Sequence, residues 1–197
     1  MQILNFDKNP DEEFPCLAGQ FLLAMPGMHD AHFKKSVIYI CAHSAEGAMG
    51  LIVNRAINTI TFSDMLEQLE IDSVNSKPST KVFFGGPVDS GRGFVLHTND
   101  YVQESTFEID QGLSLTATPD ILAAIATGNG PIQSLVALGY AGWGDGQLDA
   151  EIKSNGWLNI TADKNLLFDH DIDGKWNRAM DIIGIDPLFL SENIGHA

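Results

Sequence analysis

The sequence predicts an α+β fold, a mixed sheet with helices packed around it, and three observations lead there. Short apolar runs rich in branched residues recur along the chain, each bounded by glycine, proline or polar turns, the pattern of buried strands. Other stretches carry their apolar residues at helical spacing. The two kinds of segment follow one another without strict strand, helix, strand alternation and without a purely antiparallel rhythm.

Residues 17–25 (LAGQFLLAM), 36–42 (SVIYICA) and 48–53 (AMGLIV) read as strands buried on both faces. Residues 61–70 (TFSDMLEQLE) place Phe62, Met65, Leu66 and Leu69 on one helical face, with Thr61 as the cap and Asp64 three residues on. TKVFF (80–84) and RGFVLH (92–97) flank GGPVDSG and read as a strand pair joined by a glycine-rich loop. STFEI and LSLT are two further short strands. TPDILAAIATG (118–128) runs in the order cap, first-turn proline, acidic residue, apolar face, closing glycine, and is the clearest helix in the chain. SLVALGYAGW is a buried strand ending in a glycine turn, GQLDAEIKSN a short helix and WLNIT another strand. KWNRAMDIIG is a helix with Trp176, Ala179, Met180 and Ile183 inward. No internal repeat or linker interrupts the 197 residues, so a single domain is expected over 1–197, with about 1–16 and 186–197 as loosely attached ends.

Composition narrows function. The chain is 44% hydrophobic and 19% charged, an ordinary globular composition. Its 26 acidic residues against 11 basic give a formal charge of −15, and the only adjacent cations are Lys34 and Lys35. Such a field repels phosphate backbones and anionic membranes, which disfavours direct nucleic-acid binding. The start, MQILNFDKNPDEEF, lacks a secretory pattern, and no apolar run approaches the ~20 residues of a membrane span, so a cytoplasmic protein is expected. Cys16 and Cys41 make no disulfide framework and fit a reducing compartment.

The stretch PGMHDAHFKKSVIYICAH (26–43) gathers His29, Asp30, His32, Cys41 and His43. Histidine and carboxylate suit zinc or iron, yet a proline-glycine turn gives no fixed register, and the same residues are common in turns and caps. A Cys41–His43 pair on one strand face could make a nucleophile, although a cysteine inside VIYICA behaves as a small buried hydrophobe. There is no G-x-S-x-G elbow, and GYAGWGDG matches neither dinucleotide nor P-loop patterns, so no cofactor is expected. Arg55 and Arg92 could clamp a carboxylate or an acidic partner, with internal ion pairs to the many aspartates as the favoured reading.

The stretches FLLAMPGMHDAHFKKSVIYICAHSAEGAMGLIVNR, FFGGPVDSGRGFVLH, LTATPDILAAIATGNGP, LGYAGWGDGQLDAEI and NGWL, in this order, resemble the YqgE/AlgH family of bacterial proteins. The resemblance implies a mixed, bifurcated sheet surrounded by helices, with part of it closing as a small barrel. Members of that family are described as uncharacterised, and some are labelled transcriptional regulators through a link to alginate production. The family's polar positions fall here on His43, Glu46, Asn54, Arg55, His97 and Gln147, candidates for a shared surface or pocket. His29 and the AHF around His32 depart from the pattern.

The resulting expectation is a cytoplasmic regulatory or binding protein without catalysis of its own, acting through an unidentified protein or small-molecule partner and not through direct DNA contact. The alternative is an enzyme using His43, Glu46 or His97 as acid or base, with Cys41 or a bound metal.

Overall fold

The computed structural model describes residues 16–71, 80–110 and 112–185. Of the two expected loose ends, about 1–16 and 186–197, all but Cys16 lie outside the described residues.

Three strands open the chain: β1 (Gln20–Ala24), β2 (Val37–Ser44) and β3 (Gly47–Ile52). They are buried on both faces, as their uninterrupted apolar runs require. α1 (Phe62–Gln68) begins with a complete capping box between Thr61 and Asp64. Leu69 is its C-cap and stands 43% exposed, so the buried face consists of Phe62, Met65 and Leu66. β4 (Val82–Phe84), β5 (Val88–Thr98), β6 (Phe107–Asp110) and β7 (Leu113–Thr116) follow. α2 (Pro119–Thr127) has proline in its first turn and Gly128 closing it at φ 78°. The Thr118 hydroxyl makes no cap bond and meets Ser105 instead. Then come β8 (Ser134–Trp143), α3 (Gln147–Lys153), β9 (Trp157–Thr161), α4 (Lys164–Phe168) and α5 (Lys175–Ile182).

The strand order is β6-β7-β5-β8-β3-β2-β1-β9, with β4 attached to β8, and the sheet curls into a half-barrel. Every pairing is antiparallel except β4 with β8. The fork lies in β8. Val136 to Leu138 have β5 on one side and β4 on the other, whereas Ala141 to Trp143 pair with β3. Gly139, at φ 70°, marks the changeover.

The expected pairing of TKVFF with RGFVLH is therefore incorrect: β4 and β5 both pair with β8 and not with each other. The physical reason is the intervening Gly85–Gly86, which lies directly on the backbone of Gly139 and Tyr140, where a Cβ would collide. The loop crosses β8 and does not turn back along it.

Three apolar clusters fill the fold. Alternation in β1 sends Phe21 and Leu23 to the cluster beneath α4 and α5, with Tyr39, Leu51, Leu96 and Trp176. Leu22 and Ala24 go to the opposite face, with Ile38, Ile40, Trp143, Leu148 and Trp157 under α3. A third cluster joins α1 and α2 to Val82, Val95 and Val136. Each fully buried large apolar side chain contributes ~1.5–3 kcal/mol relative to exposure, so the sheet is held from both sides.

Candidate functional site

The six candidate residues occupy three places. Val37 and His43 lie six residues apart along β2, about 20 Å of strand, and five of the six candidates lie near its two ends.

At the Val37 end, Asn54 and Arg55 follow β3. The Asn54 carbonyl accepts the Val37 N–H at 2.8 Å and its amide donates to the Lys35 carbonyl at 2.8 Å, pinning the strand where the ladder ends. The Arg55 guanidinium donates to the carbonyls of Ala31, His32 and Lys34 at 3.2, 2.8 and 3.2 Å. It lies 6.0 Å from the Phe84 ring centroid. One amide and one guanidinium thus fold the 31–35 connection. Beneath it Lys175, fully buried, donates to the carbonyls of Val53 at 3.1 Å and Leu167 at 2.6 Å. Burial brings its pKa down to about 8, against the pull of Asp169. Trp176 donates its indole N–H to Ala24 at 3.0 Å, and the Lys35 ammonium sits 5.6 Å above its ring. A cleft of about 210 Å³ opens between Lys34, Lys35, Asn54 and Arg55 on one side and Asp173, Trp176 and Asn177 on the other.

At the other end lie His43, Glu46 and Gln147. The buried His43 accepts the Leu17 N–H on Nδ1 at 3.1 Å, which leaves the proton on Nε2, 3.9 Å from the Asp149 carboxylate. Burial lowers its pKa, opposed by Asp149. Glu46 is exposed at the tip of the β2–β3 hairpin, where its N–H donates to the Ser44 hydroxyl at 3.2 Å. Gln147 opens α3, accepting the Gly144 N–H at 3.0 Å and donating to Glu151 at 2.8 Å. The Glu151 carboxylate also receives the indole N–H groups of Trp143 at 2.9 Å and Trp157 at 2.7 Å. Gln147 belongs to a clasp that ties α3 to β8 and β9.

His97 stands apart, on β5, three strands from β2 and fully buried. Nδ1 meets the Thr98 carbonyl at 2.9 Å, which can only accept, so Nδ1 carries the proton. Nε2 then accepts the Thr116 hydroxyl at 2.9 Å, and Thr116 in turn meets Thr106 at 2.9 Å. Burial lowers the pKa and keeps the ring neutral.

Asp30 accepts the backbone N–H of His32 at 2.8 Å and its ring at 3.0 Å, an exposed turn whose backbone bond lowers the aspartate's pKa. Cys41 is 1% exposed and burial pushes its thiol pKa up, away from thiolate. Among the described residues no three histidine, cysteine or acidic side chains are arranged to hold a metal ion. The favoured ion pairs for Arg55 and Arg92 are not formed among the described residues. Arg92 lies 5.1 Å from the Phe94 ring, and the arginine that pairs with carboxylates is Arg178, with Asp169 and Asp171. The sequence places Trp176 only as an inward residue of its helix and Glu151 only within the family pattern, neither as a site residue, and it does not single out Lys175. The local cue was KW at a helix start and a glutamate four residues after Gln147, neither of which carries its partners with it.

The chain belongs to the AlgH-like family, whose model matches residues 21–188. It is 53% identical over 181 residues to a UPF0301 protein of Rhodospirillum rubrum, covering 92% of this chain and 94% of the relative. It is 55% identical over 189 residues to one of Methylocella silvestris, covering 92% of each. The solution structure of the AlgH protein from Pseudomonas aeruginosa matches with a TM-score of 0.74 and 39% identity, over 94% of this chain and 99% of that one. A crystal structure of a Corynebacterium diphtheriae protein shares the fold at a TM-score of 0.71 and 19% identity, over 92% of this chain and 95% of that one.

Proposed function

We propose that this protein is a single-domain cytoplasmic regulatory or binding protein that works by contact with a protein or small ligand, without catalysis of its own and without direct DNA binding. One observation carries the reading: His43, Asn54, Arg55, His97 and Gln147 each bond the chain's own backbone. A general acid or base must turn a proton or a lone pair toward substrate. His97 has both ring nitrogens engaged inside the core, and Cys41 is held as a buried thiol. In the enzyme alternative His43 and His97 would have to open these contacts and Cys41 would have to leave the core before any chemistry, and Glu46 stands exposed at a hairpin tip. Net charge −15 supports the exclusion of nucleic acid, since nonspecific affinity grows with the number of phosphates neutralised.

The test pairs a thermal-shift ligand screen and affinity capture, both on the full chain, with a substrate screen. A ligand or partner without turnover is expected, and turnover with no partner would overturn the reading. In a salt-titrated gel shift no sequence-dependent complex is expected. A tight one would contradict the exclusion of DNA.

A further inference from the structure

We infer that the cleft framed by Lys34, Lys35 and Arg55 binds the phosphoryl group of a small phosphate monoester. This rests on the binding reading above and gives it a place and a chemical class.

Charge is the first argument. Three of the chain's 11 basic residues line this one cleft, and among the described residues Asp173 is the only acid with them, a charge of +2 from these side chains (three cations, one anion) in a molecule of −15. A phosphate monoester carries ≈ −1.5 to −2 near neutral pH, whereas a carboxylate carries one charge. Among the described residues no carboxylate lies within ion-pair distance of Lys34, Lys35 or Arg55. Asp30, which feels the Arg55 charge weakly, is engaged by His32.

Preorganisation is the second. Arg55 donates three hydrogen bonds to backbone carbonyls, two from Nη1 and one from Nη2, so its guanidinium is fixed in place and at least two of its five N–H groups remain for an oxyanion. Lys35 is held at φ 54°, a conformation that side chains rarely adopt, by the Asn54 amide on its carbonyl. Its ammonium rests over Trp176, itself anchored to Ala24, and so stays beside the cleft.

Size and field limit the ligand. About 210 Å³ is below the ~300–1,000 Å³ of pockets that enclose drug-sized molecules, so it takes a phosphoryl head and a few adjoining atoms. The repulsion of the acidic surface is screened beyond about 8 Å at physiological ionic strength, so a compact dianion can still be held by cations at contact distance. A polyanion extending out of the cleft meets that surface instead.

The test is isothermal titration of the full chain with inorganic phosphate, glycerol 3-phosphate and acetate at matched ionic strength. It uses the wild type, the double variant Lys34→Gln/Lys35→Gly and the distant control Lys153→Gln. The wild type should bind both phosphate probes saturably, the ester no more weakly than the inorganic ion, and both at least fivefold tighter than acetate. The double variant should lose at least fivefold in affinity and the control should not change. Both lysine side chains are exposed and glycine relaxes the positive φ, so the unliganded thermal midpoint of the double variant should not fall. Acetate binding as well as phosphate, exclusion of the ester, or full binding by the double variant would each overturn the site. If phosphate does not bind while another partner is captured, the cleft is wrong and the binding reading stands. If glycerol 3-phosphate binds and is cleaved, the cleft stands and the binding reading falls.

Discussion

The Glu151 carboxylate accepts the indole N–H of Trp157 at 2.7 Å, and the same oxygen receives Trp143 at 2.9 Å. Both indoles are buried, at 3% and 7% exposure, so removing the acceptor strands two donors in an apolar cluster. Glu151→Ala should cost about 3 kcal/mol in urea unfolding, and Glu151→Gln, which keeps one acceptor oxygen, clearly less. Equal stability of the alanine variant and the wild type would show that the clasp does not hold α3 to the sheet.

His97 makes stability sensitive to acid. Its folded pKa lies below the ordinary 6.5, chiefly through burial, so as pH falls the unfolded ring takes up a proton before the folded one. The His97 contribution is therefore complete above about pH 6.5 and lost progressively below it. Urea midpoints of the wild type and His97→Gln should differ most at pH 7.5 and converge toward pH 5.

Lys175 acts at the other end of the pH scale. With a folded pKa of about 8 against 10.5 unfolded, the unfolded chain binds more protons between those values, and stability from this residue rises with pH. The difference between wild type and Lys175→Met should shift in favour of the wild type by up to about 3 kcal/mol from pH 8 to 10.5. Cys41 and Tyr39, whose pKa values burial raises, oppose this in both proteins and cancel in the comparison.

The two thiols should separate cleanly. Cys16 is exposed and Cys41 is buried, so a thiol reagent should find one fast group in the native protein and a second only on unfolding. Cys16→Ala should leave no fast group, and rapid native labelling of Cys41 would reopen the nucleophile reading.

Local chemistry was legible in the sequence. The Thr61–Asp64 capping box and the run from Thr118 through Pro119 to Gly128 announce their helices because every partner lies within a few turns. The buried strands announce themselves by uninterrupted apolar runs. The fork at β8 did not, because it depends on Gly85–Gly86 meeting Gly139–Tyr140, a backbone contact that no local pattern encodes. The candidate residues were found singly, but their grouping was not. Arg55 meets the Lys34–Lys35 connection where β2 pairs with β3, and Trp176 joins them only when α5 folds back across about 120 residues onto the start of β2. Lys175 looks like a solvated helix cation in KWNR, and only the carbonyls of Val53 and Leu167 make it a buried one.

The central claim is binding without catalysis. Its most direct test is to incubate the full chain with a bacterial small-metabolite extract and weigh, by mass spectrometry, what the protein retains and what the pool loses. An anionic species retained on the protein, with its total amount unchanged, is expected. A species that disappears while a product accumulates in step, with wild-type protein and not with protein denatured beforehand, would contradict it.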